Sequence, residues 1–127
     1  MATNRRAAPE GTTDNDKLMG LLSYIIAVIV PLVILFSESR EKPFQRYHAV
    51  QSLGITVFWV AAAIVLSILF ACLGTVTGGL LLALTPCFAI IWLVPVVLHI
   101  YWGILAYQGQ LFDIPALSDF MRKQGWL

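Results

Sequence analysis

The densest cluster of polar side chains that could do chemistry lies at the start of a long apolar segment in the middle of the chain. At helical spacing His48, Gln51 and Ser52 share one face, and Tyr47 lies one turn before Gln51. Polar groups that enter a bilayer on one stripe should point toward protein rather than lipid. Two interpretations stay open. In the first, these residues anchor the helix at the interface, with Arg46 on phosphate and with His48 and Gln51 bonded to nearby loop carbonyls; in the second, they bind a ligand or partner.

The second histidine, His99, lies in the last third of a later apolar segment, close to Trp102. If that segment extends beyond the bilayer, one site near the cytoplasmic face could gather five residues: His48, Gln51, His99, Trp102 and Tyr107. A lone intramembrane histidine is usually a hydrogen-bonded packing element. The alternative is that His48 or His99 is an axial ligand of a haem or a chlorophyll-type pigment. The sequence does not separate these two roles, and otherwise no cofactor is expected.

The chain has no pattern typical of a catalytic or metal site. The HExxH and GxSxG motifs are missing from the sequence. Hydroxyls are available at Ser23, Ser52 and Ser67, but no intramembrane base is placed by sequence to activate them. Cys72 and Cys87 form no CxxC pair and are expected to be small buried hydrophobic residues. We therefore predict that the protein is not an enzyme and binds no metal.

The charge distribution identifies the environment of these residues. The 66 residues between Arg46 and Asp113 contain no Asp, Glu, Lys or Arg. Apolar residues make up 59% of the chain and charged residues 12%, against about 25% charged in a soluble domain. The net charge of +1 provides no field for nucleic acid. The sequence predicts an integral membrane protein.

Turn signals divide the chain into three apolar pieces, each long enough for a transmembrane helix of about 20 residues. We predict an all-α fold with three transmembrane helices and a short C-terminal interfacial helix. The expected segments are a mobile polar tail (1–13), a three-helix domain (14–107, with helices at about 14–36, 43–73 and 80–107) and an interfacial tail (108–127) that holds the short helix.

Several local signals set the details of these helices. Thr13 can cap the first helix, and Pro31 inside it should produce a kink because it leaves the Ala27 carbonyl unpaired. Pro43 is suited to open the second helix, and Pro95 to kink the third. Small residues recur every four positions on the second helix and predict a helix-packing strip: Ala63, Ser67 and Ala71.

Counting Lys and Arg predicts the orientation. With three spans, the first loop and the C-terminal tail share one side with five cations, while the N-terminal tail and the glycine turn share the other with three. Lys and Arg are in excess on the cytoplasmic side of membrane proteins. The N-terminus is therefore expected outside, and the first loop and C-terminus in the cytoplasm of a bacterium.

The stretch Lys42–Ser52, together with residues 16–31 before it and 103–115 near the end, resembles a family of small bacterial membrane proteins. These are relatives of the twenty-kilodalton component of the chloroplast inner-envelope (Tic) translocon. For the plastid members the resemblance implies a role in a protein-conducting complex. For most bacterial members it implies only a polytopic membrane protein of unknown function.

These observations predict a non-enzymatic, multi-pass protein of the bacterial cytoplasmic membrane that serves as a helical subunit of a larger complex. Its expected partners are the lipid bilayer and other membrane subunits or further copies of itself. Two alternatives remain, a small oligomeric channel or translocation component and a pigment- or haem-holding subunit. A channel requires polar pore-lining side chains, and a pigment requires one of the two histidines.

Overall fold

The computed structural model describes residues 4–127, which are mostly helical. Short 3₁₀ helices at Glu38–Glu41 and Leu80–Leu84 precede the α-helices that begin at Pro43 and Thr85. The elements in chain order are β1 (Asn4–Ala7), α1 (Asp14–Ile25), α2 (Ile29–Phe36), α3 (Pro43–Val76), α4 (Thr85–Ile91), α5 (Leu93–Tyr107), β2 (Gln110–Asp113) and α6 (Leu117–Lys123).

Helix α1 begins at the predicted cap and is held at once to the start of α3. The Thr13 hydroxyl accepts a hydrogen bond from the Asp16 backbone N–H, and the Asp16 carboxylate accepts one from the Thr13 N–H. The other oxygen of Asp16 accepts a 2.6 Å bond from Gln45 Nε2 and lies 3.5 Å from Lys42 Nζ. The first turns of α1 and α3 therefore lie side by side.

The predicted first span over residues 14–36 is instead a hairpin of two short helices. Along α1 the contacts with α3 advance in the same direction, from Asp16 beside Gln45 to the Ser23 carbonyl that accepts the Ser52 hydroxyl. The two helices are therefore parallel. Because α2 must reach Pro43 through a six-residue connection, it runs back toward the start of α1. Helices of 12 and 8 residues are about 18 and 12 Å long, too short for a hydrocarbon core of about 30 Å.

The break between α1 and α2 lies just before Pro31, where the sequence predicts a kink. Residues 26–28 leave the helix, and Pro31 is buried in α2. Thr56 Oγ1 of α3 lies 3.5 Å from the Ala27 carbonyl, which Pro31 cannot pair, but its hydroxyl hydrogen has a closer acceptor in the Ser52 carbonyl at 2.8 Å. A neighbouring helix thus brings a hydroxyl next to the free carbonyl, and the chain reverses here rather than bending.

Two segments are long and apolar enough to cross a membrane, Pro43–Val76 and Leu80–Tyr107. Pro43 occupies the first turn of α3, as predicted. The second segment is interrupted at Trp92, and this interruption separates α4 from α5. It lies three residues before Pro95. The turn between the segments depends on Gly78 and Gly79, whose φ angles of +61° and +87° disfavour a side chain.

Most apolar side chains of these two segments are exposed, which is expected of a surface that faces lipid. The cysteines Cys72 and Cys87 are also exposed and carry free thiols, so the expectation that they are buried is wrong. Phe70 of α3 stacks on Phe88 of α4, with ring centroids 4.4 Å apart.

The hydrophobic core lies at the other end of the molecule, where α1 sits between α3 and α5. Glycines permit this approach: a Cβ on Gly103 would lie 3.0 Å from Leu21 Cδ1, and one on Gly20 would lie 3.1 Å from Phe44 Cε1. The buried cluster joins α1, α3, α5, β2 and the residue after it: Tyr24, Ile55, Trp102, Leu105, Ala106, Phe112 and Ile114.

Part of the predicted mobile tail forms a strand, Asn4–Ala7. Residues 1–3 of that predicted tail lie outside the described residues. Strand β1 pairs antiparallel with β2, with Asn4 opposite Asp113 and Ala7 opposite Gln110. Arg5 also donates a 2.6 Å hydrogen bond to the Tyr101 hydroxyl. The sequence did not reveal this pairing, because it is made by backbone groups, which are the same in every residue. The fold is thus helical with one small two-stranded ribbon.

The predicted short C-terminal helix is present as α6, and it packs on α3. Met121 is fully buried, and a Cβ on Gly54 would lie 2.6 Å from the Met121 sulfur. A side chain at position 54 would therefore displace the flexible Met121 side chain from this position. Phe120 and Trp126 remain exposed beside it, as expected for a helix at a membrane interface.

The hairpin brings every charged residue of the sequence to one end of the molecule. All eight Lys and Arg and all seven Asp and Glu lie in residues 1–46 or 113–127, and these segments converge where α1 and α3 begin and α5 ends. The turn at the opposite end has no charge. The five-to-three division of cations assumed three spans, whereas the hairpin places both groups of cations at the same end of the molecule.

Candidate functional site

The polar face of α3 holds the strand that follows the last long helix. Gln51 Nε2 donates a 3.0 Å hydrogen bond to the Phe112 carbonyl, and the Tyr47 hydroxyl oxygen lies 2.8 Å from the same carbonyl oxygen. His48 Nε2 lies 3.0 Å from the Gln110 carbonyl oxygen. The side chains thus bind loop carbonyls, as in the anchoring interpretation, and the carbonyls belong to β2.

A charged cluster closes this end of the molecule around Asp113. One oxygen of Asp113 accepts hydrogen bonds from Tyr47 at 2.6 Å, Arg122 at 3.0 Å and Arg6 at 3.4 Å. Burial raises the pKa of Asp113. The hydrogen bond from Tyr47 and the two guanidinium groups together lower it by more, so the pKa is below its ordinary value. The cluster ties β1, α3 and α6 together through one carboxylate.

His48 and Ser52 are fully buried and hydrogen-bonded to other groups of the chain. His48 Nδ1 lies 3.2 Å from the Tyr24 hydroxyl, while its other ring nitrogen faces Gln110. The Ser52 hydroxyl donates to the Ser23 carbonyl. With both nitrogens occupied by protein groups, His48 offers none to a haem or pigment in this arrangement.

His99 and Trp102 also lie around the Tyr24 ring. The ring centroids of His48, His99 and Trp102 are 5.8, 6.4 and 6.5 Å from that of Tyr24. The structure therefore brings these three predicted residues together, whereas Tyr107 is exposed and Gln51 faces β2. His99 borders a groove of about 490 Å³ between α3 and α5.

The two nitrogens of His99 also have partners. Its Nδ1 lies 2.7 Å from the Pro95 carbonyl oxygen and its Nε2 lies 3.3 Å from the Thr56 hydroxyl. These contacts suit a hydrogen-bonded packing histidine. In residues 4–127 no three His, Cys, Asp or Glu side chains are grouped as metal ligands.

The predicted polar face of α3 omitted Gln45. Gln45 is only 1% exposed and donates to Asp16 at the start of α1. It lies three residues before His48, a spacing that puts both on one helix face. That spacing could have revealed it, whereas the partner Asp16 could not be inferred without the α1–α2 hairpin.

We expect Gln45→Leu and Gln51→Leu to destabilise the protein to a similar extent. Each removes a buried donor and leaves an acceptor without its partner, which costs on the order of 1–3 kcal/mol. Thermal unfolding in detergent, followed by circular dichroism, measures the effect. Gln124→Leu, at an exposed position, is the control. Loss of stability in Gln51→Leu alone would contradict the role assigned to Gln45.

The remaining predicted residues lie outside the buried network. Arg46 is exposed, and so are Ser67 and Ala71 of the small-residue strip, while Ala63 is half-buried at the groove beside His99. No other helix of the chain covers Ser67 or Ala71.

Comparison with known proteins corrects the family assignment. The model of the MamF_MmsF family, described as the magnetosome magnetite crystal formation protein family, matches residues 15–121. Searches of curated proteins and of solved structures each found no match. The predicted Tic resemblance is therefore wrong. Its main motif, Lys42–Ser52, is the stretch that packs α3 against α1 and β2. The chain belongs to the MamF/MmsF family of magnetosome magnetite crystal formation proteins.

Proposed function

We propose that this protein is a non-enzymatic subunit of the magnetosome membrane and acts there in magnetite crystal formation. The observation that carries the proposal is the family match over residues 15–121, which extends from the first turn of α1 to Met121 in α6. The two long apolar helices with exposed side chains support a membrane location. The polar network supports a structural role, because its side chains bind the chain's own carbonyls.

The proposed topology has two spans, α3 and the α4–α5 segment, with the α1–α2 hairpin entering one leaflet only. The N-terminus, the loop before α3 and the C-terminus then lie on one side. All eight cations of the sequence belong to these segments, and an excess of Lys and Arg marks the cytoplasmic side. This orientation places the N-terminus in the cytoplasm and replaces the expectation that it lies outside.

The topology limits how the protein can affect a crystal on the far side of the membrane. The turn exposed there, residues 77–79, has no carboxylate, imidazole or thiol to bind iron. The charged end faces the cytoplasm. We therefore propose that the protein acts by assembly within the membrane and not by direct contact of charged groups with the mineral.

A channel is less well supported. Pores for ions are lined by carbonyls or by rings of polar or charged side chains. Between Val57 and Leu98 the non-aromatic hydroxyl side chains are Ser67 and three threonines near the uncharged turn. Ser67 alone lies near the middle of a span.

Deletion of the gene in its native magnetosome-forming host tests the proposed function. We expect the mean crystal diameter, measured by electron microscopy, to move beyond the range of the parent strain, and the wild-type gene to restore it. Unchanged crystals after deletion would contradict the proposal. Immunogold detection of the protein on membranes that enclose crystals provides an independent test of location.

We expect Ala63→Leu with Ala71→Leu to reduce self-association or binding to another membrane subunit. Small residues let helix backbones approach closely in a bilayer, and Ala71 is not covered within the chain. Size-exclusion chromatography in mild detergent should show a shift toward the monomer. Ala61→Leu, also exposed but about 120° around the helix from the middle of the strip, is the control. Failure of the double variant to accumulate would instead assign the strip to the internal packing of the chain.

A further inference from the structure

An apolar groove of about 910 Å³ runs along the first third of α3, between α3 and α6. We call it the C-terminal groove. Its walls come from α2, α3, the residues before α6, and α6 itself. Its lining includes Val50, Leu53, Phe58, Leu117, Phe120 and Trp126. Its volume lies in the range of sites that bind small molecules.

The groove has one charged residue in its lining, Arg46, at its outer end. Arg46 is exposed, and within residues 4–127 no carboxylate lies within 4 Å of its guanidinium group. A guanidinium group binds phosphate through paired N–H donors. The lining thus favours an occupant with a long apolar body and one anionic head.

The dimensions match one leaflet of a membrane. Arg46 and Phe58 are 12 residues apart on α3, which corresponds to about 18 Å, and half of a hydrocarbon core is about 15 Å. Trp126 at the rim is suited to the headgroup level. Arg46 therefore lies where lipid phosphates lie, and Phe58 lies where acyl chains lie.

We propose that the C-terminal groove binds one anionic phospholipid, with its phosphate on Arg46 and an acyl chain along α3 beneath α6. The site depends on the membrane location of the protein but not on its role in crystal formation. Since α6 forms one wall, a bound lipid would also hold the C-terminal segment at the membrane surface.

The test uses the full-length protein in nanodiscs of equimolar phosphatidylglycerol and phosphatidylcholine, transferred to detergent for native mass spectrometry. Wild type should retain one phosphatidylglycerol, and Arg46→Gln should reduce that retention about tenfold. Arg40→Gln is the matched control: Arg40 is exposed, is placed at the same end and has no ion pair within the described residues. It should retain lipid like wild type.

A second variant keeps the test independent of charge. Leu53→Trp fills the groove and should reduce retention of both lipids, with folding checked by circular dichroism. Equal retention by wild type and Arg46→Gln, or equal losses in the Arg46 and Arg40 variants, would overturn the proposal. The proposal would also be overturned if Leu53→Trp converted a dimer into a monomer and left lipid retention unchanged. A second copy of the chain would then be the occupant of the groove.

Discussion

Cysteines placed at Ser39 and Thr77 are expected to react with a membrane-impermeant maleimide from opposite sides of the membrane, and a cysteine at Thr12 from the same side as Ser39. The reason is that in the proposed topology α1 and α2 together enter and leave one leaflet, while α3 crosses the bilayer. Each cysteine is expected to react almost completely from one side of the membrane and hardly at all from the other. Labelling of intact and opened cells or vesicles, in a chain with Cys72 and Cys87 replaced by alanine, measures it.

The position at Thr12 distinguishes the hairpin from a third span. If residues 14–36 crossed the membrane, Thr12 would label together with Thr77 and not with Ser39. A cysteine at Gln124 serves as the control, because both arrangements place the C-terminus on the side of Ser39. Labelling of Thr12 from the side of Thr77 would contradict both the hairpin and the cytoplasmic N-terminus.

Asp113→Asn is expected to lower the free energy of unfolding by about 1.5–3 kcal/mol, the range for hydrogen bonds to a charged group. The side chain of Asp113 is 11% exposed and accepts three hydrogen bonds. The arginines are partly exposed, which screens their share. Denaturant unfolding in detergent, followed by circular dichroism, measures the loss. Asp119→Asn, at an exposed carboxylate paired with Arg122, should change stability by less than about 1 kcal/mol.

The same carboxylate predicts a pH dependence. Its pKa is lowered in the folded protein, so its contribution is fully present above the unfolded value of about 3.9 and is lost as the pH falls through the lower folded value. Wild type should therefore lose stability below about pH 4, and Asp113→Asn should lose less over that range. Parallel pH profiles for the two proteins would contradict the assignment.

Much of the polar site could be predicted from spacing alone. Tyr47, His48 and Gln51 lie on one helix face, and they do bind loop carbonyls. Which carbonyls they bind could not be predicted. These carbonyls belong to β2, and β2 is held by pairing with β1, more than 100 residues away in the sequence. That pairing uses backbone groups, which are the same in every residue. Gln45 shows a different failure, since its partner lies on a helix whose direction was predicted incorrectly.

The sequence by itself determined the local features of this protein: the Thr13 cap, the helix start at Pro43, the glycine turn at Gly78–Gly79 and the long uncharged segment suited to a membrane. These depend on neighbouring residues and on composition. Only the tertiary structure decided that residues 14–36 reverse at Ala27. An apolar run long enough to span a bilayer is equally compatible with two short helices, and contacts of Asp16 and Ser23 with α3 select between them. That reversal gathers all the charges at one end, which no count along the sequence could establish.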